Sequence, residues 1–170
     1  MSDGDFDLNA LYLALDAQRQ SRGLTWAGMS REINSVGPVM PGHPIASSTI
    51  TGLRTKRLAE GDGVLQMLRW LGRAPESFMR GLPPAPVASS LPSVDKRIVL
   101  RFDTKKIHDA LDAERRARGF TWQTLETETG VAESHMRGLK RGGRTAFPGV
   151  MRLTRWLNQP ASHFIRLSAV

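Results

Sequence analysis

Cysteine is absent from the 170 residues, which excludes disulfides, thiolate metal sites and thiol nucleophiles. Stability must then come from packing, and a reducing compartment is the natural setting. Tyrosine occurs once and phenylalanine six times, so the four tryptophans supply much of the aromatic volume. No apolar run approaches the ~18–20 residues needed to cross a bilayer. The opening residues, MSDGD, are acidic where a secretory leader would be basic. A cytoplasmic protein with no membrane partner is expected. Catalytic signatures are missing too: there is no phosphate-cradling glycine loop, nucleophile elbow or zinc-protease helix. His43, His108, His135 and His163 show no paired ligand spacing. The expectation is a non-enzyme without metal or cofactor.

What the chain does have is positive charge. The formal net charge is +8, which points to a polyanionic partner, since clustered Lys and Arg displace counterions from phosphates. The charge is uneven: up to Leu82 there are 9 Lys and Arg against 8 Asp and Glu, and beyond it 15 against 8.

An internal repeat organises the sequence. Residues 6–26 align without gaps on 102–122, with 11 of 21 identical, under the shared pattern FD…ALDA.R..RG.TW. Residues 45–80 align without gaps on 131–166 with 11 of 36 identical, including Gly52/Gly138, Leu53/Leu139, Trp70/Trp156 and Phe78/Phe164. Between these blocks the first copy carries 18 residues and the second 8, so the first has a ten-residue insertion, SVGPVMPGHP at 35–44, whose glycines and prolines mark a loop. The segment 83–95, PPAPVASSLPSVD, reads as a semi-rigid extended linker. Two domains, 6–82 and 96–170, are therefore expected. The stretch 97–101, RIVLR, is either a short strand or a continuation of the linker.

Each copy reads as a series of short helices. Leu8, Leu11, Tyr12 and Leu15 fall on one helical face, as do Ile107 and Leu111, with Gly23 and Gly119 closing the first helix. Thr25 and Thr121 suit the N-cap of a second helix, which carries Met29 and Ile33 in one copy and Leu125 in the other. A third helix is predicted over 47–55 and 133–141. A fourth carries Val64, Met67, Leu68 and Leu71, or Val150, Leu153 and Leu157, and a last short one surrounds Phe78 or Phe164. No period-two pattern calls for a sheet, so the predicted class is all-α: two tandem five-helix domains.

The segment TWQTLETETGVAESHMRGLKRGGR resembles the helix-turn-helix of the Cro/C1-type (XRE, lambda-repressor-like) family. The apolar framework of that family falls on Leu125, Thr129, Val131, Met136 and Leu139, with Gly130 in the turn, and in the first copy on Met29, Ile33, Ile45, Ile50 and Leu53. Such a framework holds a second helix rigidly enough to enter a major groove. There are departures: Ser30 and Glu126 occupy a place that is usually small, so Glu126 must tilt toward solvent. Trp26 and Trp122 stand where a polar phosphate-contacting residue is common; packing is the expected role of these tryptophans.

The resemblance implies that the third helix of each copy reads DNA. Ser47, Ser48 and Thr51 in the first copy, with Glu133, Ser134 and Arg137 in the second, are then the base-reading positions. Arg137 suits a guanine edge and Glu133 a cytosine amine. Arg54, Lys56, Arg57, Gln123, Lys140, Arg141 and Arg144 become phosphate contacts, which position without specifying sequence. The run Arg115, Arg116 and Arg118 is either a solvated helix face or a further phosphate contact. The implied function is a sequence-specific transcription regulator of double-stranded DNA, acting as a single-chain pseudo-dimer for which self-association is not required. The competing reading is a protein-interaction module whose partner is another protein, such as RNA polymerase, with the near-neutral first copy the better candidate.

Overall fold

The computed structural model describes residues 5–36, 43–81, 91–92 and 97–169. Most of the expected linker 83–95 and the middle of the insertion 35–44 lie outside the described residues. The helices are α1 (Leu8–Ser21), α2 (Trp26–Ile33), α3 (Ser47–Gly52), α4 (Gly61–Leu71), α5 (Thr104–Ala117), α6 (Trp122–Thr129), α7 (Glu133–Gly138) and α8 (Phe147–Trp156). Two strands, β1 (Ile98–Phe102) and β2 (Ile165–Ala169), and several 3-10 turns complete the regular structure among these residues.

Both copies use the same local devices. Asp7 and Asp103 accept the N–H of Ala10 and Lys106 and so start α1 and α5. Partial burial pushes the Asp7 carboxyl up, but the Ala10 N–H and the Arg80 guanidinium outweigh it and hold the group below its ordinary value. Gly23 and Gly119, at φ of +64° and +68°, turn the chain out of the first helix. Thr25 and Thr121 then cap α2 and α6 through the N–H of Gly28 and Thr124. The third helices are shorter than predicted. Each ends at its glycine, and in the second copy Leu139–Arg141 continues as a 3-10 turn. The last short helices are also 3-10 turns, Pro75–Phe78 and Ala161–Phe164.

The all-α expectation requires one correction, because β1 and β2 pair antiparallel with Phe102 opposite Ile165 and Ile98 opposite Ala169. In the first copy, among the described residues, the equivalent pairing is the bridge between Phe6 and Met79. Alternation failed to announce the sheet because β1 buries Val99, Leu100 and Phe102 together, while β2 is largely exposed. The observed fold is mostly helical with one small sheet.

The core is continuous through both copies. At its centre the chain meets itself around a local two-fold axis. Glu60 and Ala146, which the repeat makes equivalent, form an antiparallel bridge. On either side the N–H of Gly61 donates to Thr145 O at 2.7 Å and the N–H of Phe147 donates to Ala59 O at 2.8 Å. These two bonds are images of each other under the repeat, as in an isologous dimer interface. The fourth helices reach across in the same paired way: Gln66 Nε2 donates to Leu100 O, and its equivalent Arg152 donates to Asp5 Oδ1.

The symmetry breaks at one pair of positions. Phe147 packs against both Phe6 and Phe102, with ring centroids 4.6 and 5.5 Å away. Its equivalent is Gly61, where a Cβ would lie 2.9 Å from Thr145 O and 3.0 Å from the Phe102 ring. A single phenylalanine thus fills the junction for both copies. Beside it Asp62 accepts the Phe102 N–H and the Arg101 guanidinium, each at 3.0 Å. Burial nevertheless pushes the Asp62 carboxyl above its ordinary value.

Because this junction belongs to both copies, Phe147→Ala is expected to cost about 3–5 kcal/mol and to leave a single unfolding transition. Urea denaturation followed by tryptophan fluorescence and by far-UV circular dichroism reads both. Two separate transitions in the wild-type protein would contradict the shared core.

Candidate nucleic-acid interface

The residues on which the resemblance places its framework lie together in the core. All ten framework positions are buried, from Met29, Ile50, Leu125 and Met136 at 0% exposed to Ile45 and Thr129 at 8%. Thr129, the polar member, is satisfied internally. Its Oγ1 donates to Leu125 O at 2.7 Å and accepts the Val131 N–H at 3.2 Å, bracing the turn at Gly130, which has φ of +67°. A hydroxyl here serves the role of an apolar residue because both of its hydrogen-bonding functions are spent on the turn itself.

In the first copy the insertion is clasped at its base. Asn34 Nδ2 donates to Ile45 O at 2.9 Å, Asn34 Oδ1 accepts the Ile45 N–H at 2.9 Å, and Ser30 Oγ donates to the same carbonyl at 2.6 Å. A side-chain amide that matches both main-chain groups of one residue acts like a rung of sheet. It returns the chain to the start of α3 despite the extra ten residues. Ser30 therefore has a positive role, and so does Glu126. Exposed as expected, Glu126 accepts the Glu133 N–H at 2.9 Å and supplies the N-terminal cap that Ala132 cannot.

The six base-reading candidates fall on the outer faces of α3 and α7. Ser48, Ser134 and Arg137 are exposed, and Ser47, Thr51 and Glu133 half-buried. One detail changes the expected roles. Arg137 Nε lies 3.0 Å from Glu133 Oε1, one turn earlier on the same helix. Glu133 thus holds the arginine by its inner nitrogen, and the outer guanidinium edge with its two Nη groups remains for a further partner.

Most phosphate candidates form an open cationic margin. Arg54, Lys56 and Arg57 are exposed just after α3; Lys140 and Arg141 are exposed in the 3-10 turn after α7, and Gln123 at the start of α6. Arg144 is also exposed, but its Nε is 3.4 Å from Glu60 Oε1 across the junction. No local sequence pattern announces the basic cleft of about 690 Å³ that Arg54, Lys56 and Arg57 share with Arg80, Arg152 and Asn9. Arg80 and Arg152 are anchored by Asp7 and Asp5 at 2.6 and 2.8 Å. Because Arg152 comes from the second copy and the rest from the first, only the packing of the copies brings these residues together.

Other cations and rings are occupied within the fold. Arg115 and Arg116 both bind Asp112, at 2.6 and 2.8 Å, and Arg118 binds Glu114 at 2.7 Å. The hydrogen bond from Arg115, with Arg116 close by, draws the Asp112 carboxyl below its ordinary value. Trp26 is sandwiched between Tyr12 and Arg19, and Trp122 between the equivalent His108 and Arg115. Trp70 donates to Glu32 at 2.9 Å beneath Arg22. These tryptophans pack, as expected. His135 Nε2 sits 3.1 Å from Thr145 Oγ1. Among the described residues no group of His, Asp and Glu is placed to hold a metal ion, and no helix is long and apolar enough to cross a membrane.

Comparison with protein-family models, with curated proteins and with solved structures finds no match for the chain.

The clasp makes its own prediction. Asn34→Ala leaves the Ile45 N–H without its side-chain partner and the Ile45 carbonyl with Ser30 alone, at a cost of about 1–3 kcal/mol. Hydrogen exchange should show faster opening at Ile45 and α3, with α7 unaffected. Unchanged protection at Ile45 would mean that the clasp does not hold the insertion.

Proposed function

We propose that this protein is a sequence-specific regulator that binds double-stranded DNA, with two Cro/C1-like helix-turn-helix units acting as a pseudo-dimer within one chain. The observation that carries the reading is the pairing of two braced frameworks, each with a polar third helix facing solvent, around a local two-fold axis. Duplex DNA has matching local symmetry, and dimeric helix-turn-helix proteins read half-sites about 34 Å apart. Here the covalent duplication replaces the second subunit, and the unequal third helices suit an asymmetric site. The neutral α3, with its small hydroxyls, reads less of the sequence than α7.

In this reading Arg137 pairs end-on with guanine, and Glu133 positions it rather than reading cytosine independently. The exposed cations after α3 and α7 hold the phosphate backbone on either side.

Selection from a random DNA pool tests the proposal. Wild type should enrich a bipartite motif, and Arg137→Ala should relax one position of it by about 1–3 kcal/mol of discrimination. Lys140→Gln should weaken all sequences alike and lower the salt-dependence slope by about 0.9. Enrichment of no motif, with equal retention of every sequence, would overturn sequence-specific reading.

A further inference from the structure

A cavity of about 280 Å³, open to solvent, lies between α3, the turn after it and the start of α4. This is at the lower edge of the usual size range of small-molecule sites and suits only a small ligand. Its floor is made by Ile45, Leu53, Val64 and Met67, all buried in the core. Its rim carries Lys56 and Arg144. The Arg144 charge is offset by Glu60, which lies 3.4 Å away and also caps α4 through the N–H of Asp62 and Gly63. Lys56, whose stem lies across Gly52, is the remaining lysine or arginine at the mouth, beside His43. The rim therefore has about one net positive charge over an apolar interior.

The repeat supplies an internal control. Thr49 and Ala59 line this cavity, and their equivalents in the second copy are His135 and Thr145. There the imidazole and the hydroxyl meet at 3.1 Å and bridge α7 to the segment before α8. The first copy lacks both halves of that bridge, and Lys56 stands where the second copy has Gly142. Two truncated side chains open the space and one added cation sits over it.

We infer that this cavity binds a small amphipathic monoanion: one ring system or short alkyl chain carrying a single carboxylate or sulfonate. The apolar body occupies the floor between Leu53 and Met67, and the anionic head meets Lys56. The inference does not rest on DNA binding, and its test contains no nucleic acid.

The probes are 8-anilinonaphthalene-1-sulfonate, read by fluorescence titration, and octanoate, read by displacing it. Wild type should bind the fluorophore saturably at one site per chain, and octanoate should displace it. The double variant Thr49→His, Ala59→Thr installs the bridge of the second copy and should lower affinity by about tenfold or more, with its unfolding midpoint preserved. Lys56→Glu alters an exposed residue and keeps the test decisive should the double variant fail to fold; it should weaken both anions by roughly tenfold. Undiminished affinity in a folded double variant would overturn the site, as would undiminished affinity in Lys56→Glu or the absence of saturable binding in wild type.

Discussion

Two main-chain hydrogen bonds, from Gly61 to Thr145 and from Phe147 to Ala59, set the arrangement on which everything else in this protein depends. Being equivalent under the repeat, they fix a local two-fold axis through the bridge between Glu60 and Ala146. They also commit the fourth helices to packing against one another. From that constraint follows the use of one large ring, Phe147, by both copies, and of a glycine at the position related to it. A symmetric pair of phenylalanines would overfill the space, and interiors at crystal-like density do not absorb an extra ring. Divergence of the two copies at this junction is what a shared core demands.

The same constraint separates what was legible in the sequence from what was not. Local devices were legible because they are encoded within a few residues: the threonine caps of α2 and α6, the glycines that end α1 and α5, and the buried framework from Met29 to Leu53 and from Leu125 to Leu139. The strand pairing was hidden, because β1 and β2 lie more than sixty residues apart in sequence and neither alternates. The expected third helices run past Gly52 and Gly138 because the residues after those glycines continue a basic run that periodicity alone does not divide. The basic cleft that combines Arg54 and Arg57 with Arg152 was invisible for a different reason: its walls come from different copies, and nothing short of their docking places them side by side.

Three polar residues that interrupt the expected pattern are each satisfied within the fold. Thr129 in an apolar position spends its hydroxyl on the turn, and Glu126 in a small position caps α7. Asn34 closes the enlarged loop of the first copy onto Ile45. Each polar group is satisfied where a lone substitution into the pattern would have left it stranded, a sign of consistency across levels of structure. The two copies have nonetheless diverged in what they present outward. The α7 face carries an arginine held by its own helix; the α3 face carries hydroxyls beside an open cavity.

Native-state hydrogen exchange at the Gly61 and Phe147 amides tests the central junction most directly. With the copies locked about their axis, both amides should exchange only through global unfolding, as slowly as the core amides of α4 and α8. Exchange at the rate of frayed helix ends would show that the copies hinge apart in the native state, and the fixed two-fold arrangement would have to be given up.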